Sequence, residues 1–253
     1  MAEAEFAPKL PAAELVLPVL NEVAILEASV AKLTAFCRAE LQAYDWTVLI
    51  ADNGSSDGTE DLAQRLAASD SRVRAFHIPE RGRGRALRKA WLESKADLLC
   101  YMDIDLSTGL EAVPPLLHGL ASGYDLATGT RHAHASKRTR SLKREVLSRG
   151  YNLLVRTTLG TRLSDLQCGF KGITRKAALE LLPQVENQHW FFDTELFTLA
   201  ERAGYRILEV PVAWVEDPDS RVRILSTIAE DLAGMARLRM GYARKLRALR
   251  QKR

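Results

Sequence analysis

Over the first 130 residues, short apolar runs alternate with longer segments whose apolar residues recur every three or four positions. The runs at 14–20, 46–51, 73–78, 97–102 and 124–129 predict strands. The periodic segments at 22–41, from 57 onward, 84–94 and 110–120 predict helices. Val23, Leu26, Val30, Leu33 and Cys37 form one face of the first. Ser55, Ser56 and Asp57 offer caps for the second, and Pro114 sits in the first turn of the last. This rhythm implies an α/β fold, a mostly parallel central sheet with flanking helices. Beyond Arg131 the alternation weakens: a helix is expected over 141–159, a turn-rich loop over 163–172, a helix over 193–203, a strand over 206–212 and a long helix from 224. The expected organisation is a tail at 1–12, one domain at 13–223 and a C-terminal helix at 224–253.

That helix carries Leu225, Ile228, Leu232, Met235, Leu238, Tyr242, Leu246 and Leu249 as one apolar stripe. Arg237, Arg244, Lys245 and Arg247 are expected to face away from it, with Arg239 and Arg250 at its flanks. From 237 to 253 there are eight Lys/Arg and no Asp or Glu. An amphipathic basic helix of this kind suits an anionic membrane surface. The alternative is that the stripe packs on the domain itself or on a second copy, which is the expectation for the turns up to Met235.

Composition narrows the picture only slightly. The chain has 253 residues, 47% hydrophobic and 27% charged, with net charge +4, which is ordinary for a globular domain. No stretch approaches a transmembrane helix, and the opening residues do not resemble a signal peptide. Three separated cysteines, Cys37, Cys100 and Cys168, fit reduced thiols. The expectation is a cytoplasmic protein, peripheral on the cytoplasmic membrane face if the helix binds lipid. Further basic clusters at 81–89 and 137–144 point to anionic partners. No RNA-recognition, helix-turn-helix or zinc spacing supports a nucleic acid as that partner.

In a sheet of this type ligands bind at the C-terminal strand ends, which directs attention to 52–56, 103–107 and 130–134. Asp103-Ile104-Asp105 follows a buried strand, so two carboxylates at i and i+2 can share a hard divalent cation, Mg2+ or Mn2+. Asp52-Asn53-Gly54-Ser55-Ser56-Asp57-Gly58-Thr59 is a strand–turn–helix junction whose free N–H groups suit an anion. His132 and His134 lack a third ligand and read as loop residues.

Taken in order, these segments resemble glycosyltransferase family 2, which has the GT-A fold. The resemblance rests on Leu17-Pro18-Val19-Leu20-Asn21-Glu22, Asp52–Thr59, Arg81-Gly82-Arg83-Gly84, Asp103–Ser107, Gly129-Thr130-Arg131, Asp165–Lys171, Phe192-Asp193-Thr194-Glu195 and Glu209-Val210-Pro211-Val212. It spans roughly 14–240, and the later segments look most like dolichyl-phosphate mannose and glucose synthases. The resemblance implies an inverting hexosyltransferase using a nucleotide-diphosphate sugar of the GDP-mannose or UDP-glucose type and a polyprenyl phosphate acceptor. Pro18, Asn21, Glu22, Asp52 and Asn53 would line the nucleotide site, and Arg83 would hold the donor phosphates. Asp103 and Asp105 would hold the cation on the diphosphate. Arg131 and Arg144 would grip the acceptor phosphate, with Gln167 and Asp193 near the sugar or acceptor. A phosphate acceptor is already a nucleophile, so positive charge matters more than a general base. A soluble hydroxyl acceptor is the alternative. The sequence departs from the family pattern at Asn53, Arg83 and Ser107, where the family often has Asp, Lys and Gln.

Overall fold

A computed structural model of the chain describes residues 10–131, 138–139, 142–215 and 224–251, without the side chains of 138–139, 142–149, 215 and 224–228. The expected elements of the first half are present. They are β1 (Ala12–Val19), α1 (Val23–Glu40), β2 (Asp45–Asn53), α2 (Thr59–Ser69), β3 (Val73–Ile78), α3 (Arg83–Glu93) and β4 (Leu98–Met102). A 3-10 turn at Leu110–Ala112 then leads into α4 (Val113–Ala121), and β5 (Leu126–Thr130) follows. In the second half come β6 (Arg138–Thr139), α5 (Leu142–Leu159), β7 (Phe170–Thr174), α6 (Arg175–Leu181), α7 (Phe192–Arg202), β8 (Ile207–Pro211), β9 (Trp214–Val215) and α8 (Ile224–Arg250).

Seven strands form one sheet in the order β3-β2-β1-β4-β7-β5-β8. All neighbours are parallel except β7, which runs antiparallel to β4 and β5. β6 and β9 pair separately. Alternate residues of β1 enter different cores. Val16 joins the cluster containing Trp91, Tyr101, Phe192 and Leu238, and Leu15 and Leu17 join the cluster containing Leu26, Leu33, Leu116 and Phe170. A strand buried on both faces reads as a continuous apolar run, which is why β1, β2 and β4 stand out in the sequence.

Two expectations need correction. The segment 163–172 is not all loop, because its last three residues begin β7, and α6 follows it. Lys171 interrupts the apolar pattern there, yet it is fully buried; its Nζ donates to the Cys168 carbonyl (2.5 Å) and lies 5.4 Å from the Phe197 ring centroid. The second correction concerns α8. Met235, Leu238 and Leu249 are buried in the first core cluster, with Tyr242 and Leu246 packed against it, so the stripe from Met235 onward is covered by the domain itself. Lys245 does not face away: it is 2% exposed and donates to Glu195 Oε1 (2.9 Å) and the Gln184 carbonyl (2.5 Å). Arg237 also reaches Glu195, at 3.2 Å. Leu225 and Ile228 lie outside the described side chains.

Asp231 is a buried acid on α8. Burial pushes its carboxyl up to about 7, opposed by a hydrogen bond with Tyr151 and reinforced by Glu230, and its Oδ1 has no partner among the described residues. A carboxyl raised in the folded state binds its proton more tightly folded than unfolded. Its contribution is therefore present at acid pH and declines as pH rises from about 4 to about 7, each unit of displacement being worth about 1.4 kcal/mol. Asp231→Asn should flatten that decline and raise stability at pH 8. Urea unfolding at pH 5 and pH 8 measures it, and equal slopes for both proteins would contradict the assignment.

Candidate active site

The C-terminal ends of β1, β2 and β4 converge. After β1 the chain turns through Asn21, a non-glycine residue with φ of 57°. The turn is knitted to the segment after β2: Asn21 N donates to Ser55 Oγ (2.8 Å), Ser56 N to Asn21 Oδ1 (2.8 Å), and Glu22 N to Thr59 Oγ1 (2.9 Å). Asp57 does bond the start of α2, accepting from Thr59 N at 3.0 Å, while Gly58 occupies the cap position. Asp52 is 1% exposed. Its Oδ1 accepts from Ser55 Oγ (2.6 Å) and its Oδ2 lies 2.7 Å from His77 Nδ1. Pro18 is buried within β1.

Asn53 explains its own departure from the family pattern. Its Nδ2 donates to the Val19 carbonyl (2.6 Å) while its Oδ1 accepts from Gly82 N (3.1 Å). An aspartate has no N–H for the first bond. The amide thus ties the end of β1 to the loop that carries Arg83.

Arg83 opens α3, and its side chain is largely buried. Nη2 lies 2.5 Å from Asp103 Oδ1 and Nη1 lies 3.6 Å from Asp193 Oδ2; the guanidinium carbon sits 4.8 Å from the Tyr101 ring centroid and 5.1 Å from that of Trp190. Burial disfavours its charge, but Asp103, Tyr101 and Asp193 outweigh burial and hold its pKa above the usual value. Gly84 lets this loop approach α7, since a Cβ there would stand 2.6 Å from the Phe192 Cβ.

Asp103 and Asp105 follow β4. Desolvation raises the Asp103 carboxyl above its usual value against the pull of Arg83, and Asp105 and Asp193 add to the rise. Asp105 is exposed, and its Oδ1 accepts from Ser107 N at 2.9 Å. Leu106 beside it has φ of 50°, the second left-handed non-glycine residue, so both sit in loops at this end of the sheet. Asp193, at the start of α7, accepts from the Tyr101 hydroxyl; its Oδ1 is buried with no partner among the described residues. Two carboxylates, Asp103 and Asp193, therefore meet Arg83, and Asp105 follows Asp103 by two residues at the same strand end. Their hard oxygens fit Mg2+ or Mn2+, with Asp105 the most open donor. A separate group, Asp52, Glu60 and His77, also has ligand atoms within 4.8 Å of one another, but Asp52 is held there by Ser55 and His77.

Gly169 is a close-approach position missed from sequence. A Cβ there would collide with the Asp103 carboxylate, and the Gly169 carbonyl accepts from Asp103 N at 3.1 Å. Gly169→Ala must displace the carboxylate. If Asp103 holds the donor's cation, transfer should fall about 100-fold, the scale of a displacement near 1 Å. Measured kcat/KM with unchanged thermal unfolding tests this, and wild-type activity would remove Asp103 from the chemistry.

Arg131 is paired within the protein. It is 7% exposed at the end of β5, with Nε 2.7 Å and Nη2 2.9 Å from the two oxygens of fully buried Asp165, and it stacks 5.3 Å from the Trp214 ring centroid. The fork expected to grip an acceptor phosphate bonds Asp165 in this structure. Gln167 is exposed on that loop, its N–H on Asp165 Oδ1 (3.2 Å). The Arg144 side chain, His132 and His134 lie outside the described residues. Tyr101 and Trp190 were not singled out as site residues from sequence, and Asp165 only as the start of the 165–171 motif. Tyr101 is hidden in an apolar run, and Trp190 has no periodic neighbour.

Comparison with known proteins agrees with this architecture. The chain is 40% identical over 222 residues to glycosyltransferase AglD of Haloferax volcanii, covering 87% of this chain and 35% of that one. It is 30% identical over 246 residues to dolichyl-phosphate beta-glucosyltransferase ALG5C of Trichomonas vaginalis, covering 91% and 72%. Against the human dolichyl-phosphate beta-glucosyltransferase it is 31% identical, covering 71% and 59%. The chain thus spans from about a third to under three quarters of these relatives' lengths. Among solved structures, glucosyl-3-phosphoglycerate synthase from Mycobacterium tuberculosis, in complex with Mn2+ and UDP-glucose, superposes with TM-score 0.66 at 20% identity, covering 91% of this chain and 79% of that one, a likeness of fold. The family model for glycosyl transferase family 2 matches residues 14–182. With most of its largely parallel sheet, its acidic pair after β4 and the glycine-flanked Arg83 inside that match, the chain belongs to glycosyl transferase family 2.

Proposed function

We propose that the chain transfers a hexose, with inversion, from a nucleotide-diphosphate sugar to a polyprenyl phosphate. The observation that carries the donor half is the Asp103–Asp105 pair at the open end of β4, in a chain of this family. The acceptor half is supported by similarity to dolichyl-phosphate beta-glucosyltransferases over as much as 91% of this chain. Those names favour glucose and a UDP-type donor.

Asp105 and Asp103 would hold a Mg2+ or Mn2+, which when bound neutralises charge on the departing nucleotide diphosphate. Asn21, Glu22, Asp52 and Asn53 frame the base and ribose side of the cleft. Arg83 stands between the acidic pair and Asp193, within reach of the diphosphate. Arg144 takes the acceptor phosphate, and Arg131 orients the 164–169 loop through Asp165. Asp193 Oδ1 accepts from a sugar hydroxyl or from the arriving acceptor. The phosphate attacks opposite the leaving group, so an α-linked donor gives a β-linked product. Positioning and charge supply most of the acceleration.

The test is a donor panel, UDP-glucose and GDP-mannose, with short-chain polyprenyl phosphate, 3-phosphoglycerate or simple alcohols as acceptors. The expected result is transfer from UDP-glucose to the polyprenyl phosphate alone, with a β-anomeric product by NMR. Transfer only to the alcohol or to the small phosphate overturns the acceptor assignment.

A further inference from the structure

Among the described residues ten large hydrophobic side chains are exposed, and four of them lie on two helices: Leu153 (63%) and Leu154 on α5, and Leu232 and Met240 (83%) on α8. The two helices lie side by side. Tyr151 bonds Asp231, Thr158 Oγ1 donates to Met235 Sδ at 3.4 Å, and Arg239 Nη1 donates to the Thr158 carbonyl at 2.5 Å. Pairing thus advances from 151 with 231 to 158 with 239, so the helices run parallel. At helical spacing Leu232, Ala236 and Met240 share the edge of α8 that borders α5, and Leu154 stands on the facing edge of α5 between Tyr151 and Thr158.

The charge of this face is of one sign. Residues 146–164 carry Arg149, Arg156 and Arg162 and no acid, and 232–253 carry eight Lys/Arg and no acid. The acids that meet α8, Glu186 and Glu195, pair with Arg237, Arg244 and Lys245 on its other side. Arg156 and Arg239 stay exposed beside the apolar side chains. We propose that the outer face of α5 and α8, with Leu153, Leu154, Leu232 and Met240 inserted and Arg156 and Arg239 at headgroup level, is the surface that rests on an anionic membrane.

Apolar tips flanked by exposed arginines match the interface of an anionic bilayer. A second copy fits poorly, because a two-fold contact would set this face against itself and bring like charges together. Apart from Leu232, this face differs from the stripe read in the sequence, whose residues from Met235 onward are largely covered by the core. The surface rests on the proposed lipid acceptor only for its purpose.

The experiment is co-sedimentation of the full chain and of the double variant Leu153→Glu/Met240→Glu with vesicles of neutral phosphatidylcholine, or of phosphatidylcholine with phosphatidylglycerol. The wild type should bind the anionic vesicles, more weakly at high salt. The variant should bind at least about tenfold less with unchanged thermal unfolding, since both positions are exposed. Transfer to a water-soluble short-chain acceptor should be equal in the two. Absence of wild-type binding overturns the proposal, as does equal binding by both proteins. So does a concentration-dependent dimer that the variant abolishes in place of vesicle binding. If vesicles bind as expected while no polyprenyl phosphate is glycosylated, the functional reading fails and the surface stands.

Discussion

Arg131→Ala is expected to destabilise the fold by about 3 kcal/mol, at the lower end for breaking a buried ion pair. The substitution removes two N–H donors from Asp165, which is fully buried, and the ring partner of Trp214. Lysine should restore little, because a point charge cannot span both carboxylate oxygens. Adding Asp165→Asn to Arg131→Ala should recover part of the loss by removing the stranded charge. Urea unfolding measures all three. A cost under about 1 kcal/mol would show that the pair is dispensable and would return Arg131 to the acceptor phosphate. This outcome also separates the two arginines: Arg144→Ala should lower transfer without touching the unfolding midpoint.

The second large effect is at Asp105. Asp105→Ala should lower kcat/KM by about a thousandfold or more, roughly 4 kcal/mol of transition-state stabilisation. Folding should be unaffected, since the side chain is exposed and its recorded bond is one backbone N–H. Mn2+ titration calorimetry in the presence of the nucleotide diphosphate should lose its signal in parallel. Full activity of the variant in excess chelator would end the cation assignment.

The elements legible in the sequence were those whose signal is local. β1, β2 and β4 are apolar because both faces are covered, and α1 and α3 repeat at helical spacing because one face is. Asp103 and Asp105 were visible because a strand end places i and i+2 carboxylates together. The illegible parts depend on partners far along the chain. Lys171 read as part of a turn-rich loop and Lys245 as facing away from the apolar stripe, yet one is buried on a carbonyl and an aromatic ring and the other on Glu195, fifty residues away. β7 was hidden because Lys171 and Gly172 break its pattern and Gly169 precedes it; a Cβ at Gly172 would stand 2.6 Å from Leu116 of α4, and one at Gly169 would strike Asp103. Arg131 reads as a phosphate ligand from the family resemblance, and nothing local in the sequence shows its pairing with Asp165, thirty-four residues away.

The buried seat of Lys245 has a consequence for the order in which the protein is made. The core cluster that holds Trp91, Tyr101 and Phe192 also holds Met235, Leu238 and Leu249. While a ribosome is still producing the last helix, that side of the sheet lacks its cover and Glu195 lacks its lysine. The sheet's other face, closed by α1, α2 and α4, also needs Phe170, Val210 and Val212 for its core, and it is complete once Val212 has been added, ahead of Met235, Leu238 and Leu249. A chain halted before residue 249 is therefore an intermediate with one finished face and one adhesive one, and chaperones that recognise apolar surface should bind it through the finished sheet's open side.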